Sequence, residues 1–472
     1  ERTFRVGSGG SMVSASLSLA LIGVGHLVGI TVGIAMIVGL VISFGVMLPL
    51  RTAGQIPADG DLGDIVSGIF TSDVRFVGAG AMAVAAVWTL AKIALPIARG
   101  VKEALAATRA RDEGAEVPVQ ERDLSMRMVI GVTLASMLPI GLLLWLFVQD
   151  TPIAHHAVGM VVVSILFVLL IGLAVAGVCG YMAGLIGASN SPISGVGILI
   201  VIAAALLIKV VHGAQAPGQG NVLIAYTLFT AAVVFGVATI SNDNLQDLKT
   251  GQLVGATPWK QQVALVIGVL FGSVIIPPVL QLLNTSFGFA GAPEATGNAL
   301  AAPQAALLSS LAKGVFGGDL DWGLLGLGAA IGAVVVVIDE VLGLTTKNRV
   351  HLPPLAVGMG MYLPMGLTLI IPVGAVAGLL YDRWAAGTAD PESSKRLSTL
   401  AATGLIVGES LFGVALAGIV AAFGEEEPLA VVGPGFTTAS EVLGALVFAG
   451  ATIGLYLWVK RLSVRATARA GA

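Results

Sequence analysis

The sequence predicts an all-α fold: a polytopic membrane bundle of about 10–13 spans with re-entrant or broken helices. Hydrophobic residues make up 56% of the 472 residues and charged residues only 11%, with a mean hydropathy of +0.96. A soluble domain carries about a quarter charged residues, so one globular core cannot hide this much apolar surface. Apolar runs of about 18 residues or more recur, and 63 glycines suit the close approach of helices in lipid.

The charge balance and the cysteine usage exclude several classes of function. A net charge of −3 gives no support for a nucleic-acid partner. Cys179 is the one cysteine, which excludes an internal disulfide framework and a cysteine-rich metal site. The polar stretches match neither an EF-hand nor a P-loop, so the sequence predicts no metal site and no other cofactor.

The apolar segments define the predicted spans in chain order. The first, 12–48, is long enough for two passes or a hairpin. A shorter run, 297–316, is interrupted by Pro303. The other predicted spans are 76–98, 126–147, 157–186, 193–211, 222–240, 263–283, 322–342, 355–380, 399–423 and 442–459. Glycines at four-residue spacing are interpreted mostly as packing seams between helices: Gly25, Gly29, Gly33, Gly328, Gly332, Gly404 and Gly408.

Lysine and arginine orient these spans. The linker 99–127 carries one lysine and five arginines, which places it in the cytoplasm. Alternation from there places 148–156 outside, with its two histidines. The loops 241–262 and 343–352 then fall inside, provided that 297–316 enters and leaves the membrane on one side.

The segment 355–380 is predicted to be broken. A single crossing would put the later Lys and Arg clusters outside, against the expected bias, whereas a re-entrant path keeps them inside. HLPPLAVGMGMYLPMGLTLIIPVG contains several prolines, each of which removes a helical donor. We therefore predict two re-entrant or broken segments, around 297–316 and 353–372, with Pro303 and Pro364 as structural breaks. Discontinuous helices of this kind surround the binding sites of transporters.

The stretch GLIGASNSPISGVGILI, residues 184–200, interrupts two apolar runs with polar residues. Pro192 is a third predicted break, and Ser191 can cap the helix that follows it. One interpretation is a tight cytoplasmic turn between two helices. The other is a polar break whose helix N-terminus faces an anionic group, such as a peptide carboxylate.

Two further polar stretches complete the predicted binding residues. SNDNLQDLKTGQLVGATPWKQQ, residues 241–262, is either a solvated cytoplasmic loop or, at the end of the preceding helix, the lining of a cytoplasmic mouth. GNALAAPQAALLSSLAKG, residues 297–314, places two amide side chains in an otherwise apolar segment. The predicted substrate-binding residues are Asn190, Ser191, Asn242, Asp243, Asn298 and Gln304.

Two ionisable residues inside apolar runs are candidates for proton coupling. Glu409 lies near the centre of TLAATGLIVGESLFGVALAGIVAAF, where a carboxylate costs a few kcal/mol and faces the bundle interior, a partner or a pathway. It is either a protonated structural carboxyl or a group that holds a proton and releases it when its surroundings become wet. His26 is either a packing residue or a proton relay, since histidine titrates near neutral pH.

Several stretches, in a fixed order, resemble the oligopeptide transporter superfamily. They are SNSPISGVG, SNDNLQDLKTGQLVGATPWKQQ, NALAAPQAALLSSLAKGVFGG followed by DWGLLGLGAAIG, LPPLAVGMGMYLP, and ATGLIVGES. The sequence is most similar to the prokaryotic members, which are related to the yellow stripe-like metal-chelate transporters. Family members carry further spans ahead of GSGGSMVSASLSLA. The resemblance therefore implies one transporter domain, residues 1–472, that lacks those spans.

The resemblance implies a function and a location. The family imports peptides or metal complexes of small chelators, usually coupled to protons, so a secondary transporter in a prokaryotic cytoplasmic (inner) membrane is expected. Its partners would be the substrate, protons and the lipid bilayer, and the sequence is compatible with a homo-oligomer. The resemblance also supports Asn190, Pro192, Asn242, Asp243, Asn298, Pro303, Gln304, Pro364 and Glu409 as site positions.

Two rival functions have weaker support in the residues. An intramembrane hydrolase would need an HExxH zinc pair, paired aspartates in a GxGD context, or a serine with a suitably placed histidine, and the sequence has none of these motifs. A channel would need repeated filter residues, which are not visible either. The sequence therefore predicts a transporter and not an enzyme.

Overall fold

The computed structural model describes residues 2–56, 61–89, 91–92, 118–186, 193–213, 218–289, 302–317, 321–424 and 428–470. Within these ranges, eleven helices are long and apolar enough to cross a membrane, which confirms the predicted class. The helices are α1 (Leu19–Thr52), α2 (Leu62–Thr89), α3 (Met126–Gln149), α4 (Ala157–Ile186), α5 (Ile193–His212), α6 (Gly220–Val254), α7 (Pro258–Phe287), α8 (Pro303–Gly317), α9 (Trp322–Thr346), α10 (Pro354–Tyr362), α11 (Met365–Ala385), α12 (Pro391–Phe423) and α13 (Thr437–Ala470). Helices α8 and α10 are too short to span a bilayer by themselves.

Local sequence signals set where several helices begin and end. Ser18 caps α1 by accepting a hydrogen bond from the Leu21 amide, and Ser125 caps α3 in the same way. Asp390 caps α12, whose first helical residue is a proline. Gly255 and Gly424 end α6 and α12 in the left-handed conformation that glycine adopts most easily.

A small β-hairpin precedes the first helix. Strand β1 (Arg2–Val6) pairs antiparallel with β2 (Gly9–Val13), and Arg2 lies opposite Val13. The hairpin is fastened to the far end of α1, because the Gly10 amide donates to Thr52 Oγ1 at 2.8 Å and Ser11 Oγ donates to the Phe44 carbonyl at 2.6 Å.

The segment 12–48, whose path the sequence left open, forms the end of this hairpin and one long broken helix. Helix α1 runs through a π-helical stretch, Val41–Met47. It is interrupted at Gly29, which has φ 80° and ψ 174° and nothing within 4 Å of its Cβ position. The interpretation of Gly29 as a packing residue is therefore wrong; it is a break in the helix.

Other glycines do form the predicted packing seams. A Cβ added to Gly25 would lie 2.0 Å from the Ile371 carbonyl oxygen of α11. Gly33 also lies against α11, and Gly328 and Gly332 of α9 lie against the backbone of α2. Added Cβ atoms on Gly404 and Gly408 would meet no described atom within 4 Å, so the structure gives no support for a seam there.

The chain divides into two compact units. The first contains residues 1–81, 277–303 and 324–472, and its core is α1 packed on α10, α11 and α12. The second contains residues 82–276 and 304–323, and its main packing is α4 against α6. Whether the whole chain is one transporter domain stays a prediction.

Two sequence-based boundaries are wrong. The predicted loop 241–262 is helical as far as Val254, because α6 continues for more than three further turns until Gly255 ends it. The predicted span 76–98 begins much earlier, since α2 starts at Leu62 and passes through a π-helical turn at Phe70–Val74. The sequence analysis had placed the polar residues of these two regions outside the spans, whereas the structure places them on α6 and α2.

Candidate functional site

A helix break separates α10 from α11 at the predicted position. Leu363 and Pro364 have extended backbone, with ψ of 147° and 141°. Thr368 Oγ1 donates to the Pro364 carbonyl at 2.9 Å, which satisfies an oxygen near the break. The helix is thus interrupted at Leu363 and Pro364, while a re-entrant path of this segment stays a prediction.

An extended segment, residues 14–18, lies against this break; we call it the serine segment. The amide and the hydroxyl of Ser16 both donate to the Gly366 carbonyl oxygen, each at 2.9 Å. A Cβ on Gly366 would lie 2.9 Å from Ser14 Oγ, so a larger residue would require the Ser14 side chain to move. The start of α1 is thereby joined to the first turn after the break.

Glu409 lies at the other end of the serine segment. Ser18 Oγ donates to Glu409 Oε1 at 2.6 Å, and the Ala20 amide donates to Oε2 at 2.9 Å. The carboxylate therefore occupies the N-terminus of α1, where free amides and the helix dipole favour an anion. The side chain is otherwise exposed in this chain, and its role in proton coupling stays a prediction.

A buried cation lies on the other side of the break. Arg75 of α2 is 8% exposed. Its guanidinium carbon lies 5.1 Å from the centre of the Tyr362 ring, and its Nη2 donates to the Tyr362 hydroxyl at 3.5 Å. Tyr362 is the last residue of α10, where helix carbonyls concentrate negative charge. A guanidinium is always ionised and its fork matches a carboxylate.

These residues form a continuous array in the first unit, which we call the polar seam: Arg75, Tyr362, Gly366, Ser16, Ser18 and Glu409. The seam has a cation at one end, a carboxylate at the other, and broken backbone between them. A mainly apolar cleft of about 290 Å³ opens beside the break and is lined by Met12, Phe44, Met365 and Leu369, among others.

His26 lies on α1 beyond Glu409, about 9 Å along the axis from Ala20. Its Nδ1 is 2.9 Å from the Tyr456 hydroxyl, and its ring packs near Tyr381 with centroids 6.4 Å apart. The Tyr381 hydroxyl donates to the Ser394 carbonyl at 3.1 Å. The structure thus places His26 in an aromatic cluster and does not bring it into the polar seam.

The second unit contains Asn242 and Asp243 on α6. Asn242 is 6% exposed and its Oδ1 is buried without a hydrogen-bond partner among the described residues, whereas Asp243 is exposed. One turn further, Leu245, Leu248 and Lys249 line an open cleft of about 280 Å³ together with Gln120, Glu121, Asp123, Gly184, Gln252 and Pro258. The cleft has a polar rim of both charge signs.

Helix α8 confirms part of the prediction for 297–316. It begins at Pro303 and has 15 residues, and the Nε2 atom of Gln304 is buried without a partner among the described residues. Lys209 of α5 donates from Nζ to the Val315 carbonyl in the last turn of α8. This cation in an apolar span was not selected by the sequence analysis.

The remaining predicted site residues, Asn190, Ser191, Pro192 and Asn298, lie outside the described residues. The seam also contains residues that sequence reasoning missed. A serine directly before an apolar run is a helix-start pattern, so Ser18 was within reach. Arg75 was missed because the span was started one residue after it.

Comparisons with known proteins agree with the predicted family. The sequence profile of the OPT oligopeptide transporter protein family matches residues 1–420. A protein of Haemophilus influenzae named "Putative oligopeptide transporter" is 38% identical over 476 residues, covering 97% of this chain and 74% of that protein.

Two rice proteins (Oryza sativa subsp. japonica) are more distant. "Probable metal-nicotianamine transporter YSL10" is 29% identical over 204 residues, which is 42% of this chain and 28% of that protein. "Probable metal-nicotianamine transporter YSL13" is 28% identical over 197 residues, 41% of this chain and 26% of that protein. No solved structure matches the chain. From the profile match and the bacterial relative, this chain belongs to the OPT oligopeptide transporter family.

Proposed function

We propose that this protein is a proton-coupled secondary transporter that carries oligopeptides, and that the polar seam is its peptide site. The observation that carries the proposal is the position of Glu409. Its carboxylate holds the N-terminus of α1, and two residues earlier along the chain Ser16 holds the broken helix at Gly366. A change in the protonation of Glu409 can therefore be transmitted to the helix break through residues 16–18.

Arg75 would bind the carboxylate end of a peptide. It is buried, permanently charged and packed on the residue that ends α10. Fixed donors in a dry site hold an anion more strongly than the same donors do in water. The apolar cleft beside Met365 would take a peptide side chain.

Glu409 would bind the coupled proton. In the charged state both carboxylate oxygens accept hydrogen bonds from the start of α1. A proton on the carboxylate removes the negative charge from the positive end of the helix, and a proton on Oε2 places a donor against the Ala20 amide, which can only donate. The serine segment then loses its attachment to α12, and its attachment to the break at Gly366 is free to change.

The other predicted residues are proposed to act along the path and not in the seam. Asn242, with an unsatisfied buried oxygen, and Asp243 would line the cytoplasmic mouth, and Gln304 would offer its buried amide. His26 would exchange protons through Tyr456. Asn190, Ser191 and Asn298 stay proposed substrate contacts.

A metal chelate is the second candidate cargo. The similarity to two rice proteins named as metal-nicotianamine transporters favours it. We further propose that the protein resides in a prokaryotic cytoplasmic membrane, which the Haemophilus relative supports, and that it can assemble as a homo-oligomer.

Uptake into proteoliposomes tests the proposal. The purified chain is reconstituted and given a mixed pool of labelled tripeptides, with and without an inward proton gradient. We expect accumulation above equilibrium only with the gradient. In Glu409→Gln, accumulation should be lost while peptide exchange across the membrane is kept.

Glu441→Gln is the matched control, because Glu441 is an exposed carboxylate on a different membrane helix, α13. It should accumulate peptide as the parent chain does. Equal accumulation by Glu409→Gln and the parent chain would contradict a coupling role for Glu409. If the pool contains no transported peptide but a metal chelate accumulates, the second cargo replaces the first.

A further inference from the structure

A cluster of three histidines lies in the second unit and shares no residue with the polar seam. His155 and His156 form most of a 3₁₀ turn, Ala154–His156, directly before α4, and His212 is the last residue of α5. The ring centroids are 4.3 Å apart for His155 and His156, 5.9 Å for His155 and His212, and 5.0 Å for His156 and His212. Residues 56 positions apart in the chain are thus brought together by the fold.

The buried member of the cluster is unsatisfied. His212 is 4% exposed, and apart from a contact with the backbone of Gly213 neither of its buried ring nitrogens has a hydrogen-bond partner among the described residues. Buried polar groups without a well-formed hydrogen bond are rare and need an explanation. A ligand that accepts a lone pair from an imidazole nitrogen would satisfy the group.

The spacing of the rings fits a shared metal ion. A first-row metal such as Zn²⁺ binds imidazole nitrogen at about 2.0–2.1 Å in tetrahedral geometry, which places the centres of three bound rings about 5 Å apart. The three observed separations, from 4.3 to 5.9 Å, bracket that distance. Neutral imidazole is a preferred ligand of Zn²⁺, Cu²⁺ and Ni²⁺.

The turn that carries the two exposed histidines is held in place. Ile153 is fully buried, and Gln219 Nε2 donates to the Pro152 carbonyl at 2.9 Å. The donor nitrogens do not yet converge: no group of His, Cys, Asp or Glu in the described part of the chain has a ready metal position. Since His155 and His156 are exposed, rotation of their side chains can bring their nitrogens toward the fixed ring of His212.

From these observations we propose that His155, His156 and His212 form a binding site for one divalent transition-metal ion. The bound ion would satisfy one ring nitrogen of His212 and join the C-terminal end of α5 to the turn before α4. The fourth position of a tetrahedral ion would be left open to water or to a further ligand. The sequence gives no motif for this site, because the ligands come from two distant segments.

Metal titration of the purified full chain in detergent tests the proposal. The probes are Zn²⁺, followed by competition with a chromophoric chelator, and Co²⁺, followed by its visible ligand-field spectrum. We expect one equivalent to bind, with the intense spectrum of a tetrahedral Co²⁺ site. In the double variant His155→Asn/His156→Asn, affinity should fall by about tenfold or more. The matched control is His351→Asn, since His351 is an exposed histidine beside Asp339 in the other unit.

His212→Gln gives a second readout of the same site. Because a buried substitution can disturb folding, melting is recorded first without metal and then with added Zn²⁺. A metal that binds only the folded chain raises its melting temperature as its concentration rises. We expect this rise in the parent chain and in His351→Asn, and its loss in both cluster variants. Absence of one-equivalent binding, or binding that the double variant leaves unchanged, would overturn the proposal. Neither result bears on peptide transport by the polar seam.

Discussion

The contact between Ser18 and Glu409 predicts an energetic coupling that a double-mutant cycle can measure. Ser18→Ala removes the hydroxyl that donates to Glu409 Oε1 at 2.6 Å and also removes the helix cap. Glu409→Gln keeps the shape of the side chain but removes its charge, and its amide group cannot accept from both Ser18 and Ala20. The double variant removes both partners together.

The structure sets the magnitude of each change. A hydrogen bond to a charged group contributes about 1.5–3 kcal/mol, and an anion at a helix N-terminus about 0.3–1 kcal/mol. Loss of a serine cap costs about 1 kcal/mol. Since the Glu409 side chain is exposed in this chain, the lower part of the range applies. We expect each single variant to lose about 1–2 kcal/mol and the coupling energy to be about 1 kcal/mol.

The assay is reversible unfolding in mixed detergent micelles, with the free energy of unfolding measured for the parent chain, both single variants and the double variant. The control cycle pairs Ser18→Ala with Glu441→Gln, which should be additive within about 0.5 kcal/mol. If the Ser18–Glu409 cycle is equally additive, the carboxylate does not hold the helix end, and the proposed route from the proton to the break fails.

Other perturbations follow from single contacts. Gly25→Ala should destabilise the fold by about 1–3 kcal/mol because its Cβ would meet backbone of α11, whereas Gly404→Ala should cost nothing in the same unfolding assay. Arg75→Lys keeps the charge but loses the fork, so peptide uptake should show a raised KM with accumulation still driven by the gradient. Hydrogen bonds from Ser393 lower the pKa of Asp390. The contribution of this carboxylate to stability should therefore be present above the ordinary carboxyl pKa and lost as pH falls through the lowered value. Asp390→Asn should not show this pH dependence, which measurements of the free energy of unfolding at a series of pH values would check.

The sequence predicted the parts of the fold that depend on composition and on proline. Runs of apolar residues identify membrane helices because the bilayer has a fixed thickness, and Pro364 breaks its helix because it has no amide hydrogen. The end of α6 was misplaced because a run of polar residues looks like a loop in isolation. Nothing in that run stops a helix before Gly255, so the backbone continued.

The candidate site was harder to predict because its contacts join distant segments. Glu409 stood out by the cost of its charge, but its partner is a backbone amide 389 residues away, which no local pattern reveals. Arg75 lies one residue before the predicted span 76–98, whereas the structure places it inside α2 and against Tyr362. The three histidines share no recognisable motif spacing, since only the packing of the fold brings them together.

The break at Gly29 restricts what substitutions this protein can tolerate. Its backbone angles lie in a region that is essentially open to glycine alone, although no neighbouring atom crowds it. The restriction at Gly29 is therefore conformational and not steric, so more space around this residue would not relieve it. Any side chain there would favour an unbroken α1 of about 50 Å, a length that α6 and α12 reach as continuous helices. This one residue thus decides whether α1 is one continuous helix or two segments that meet at residue 29.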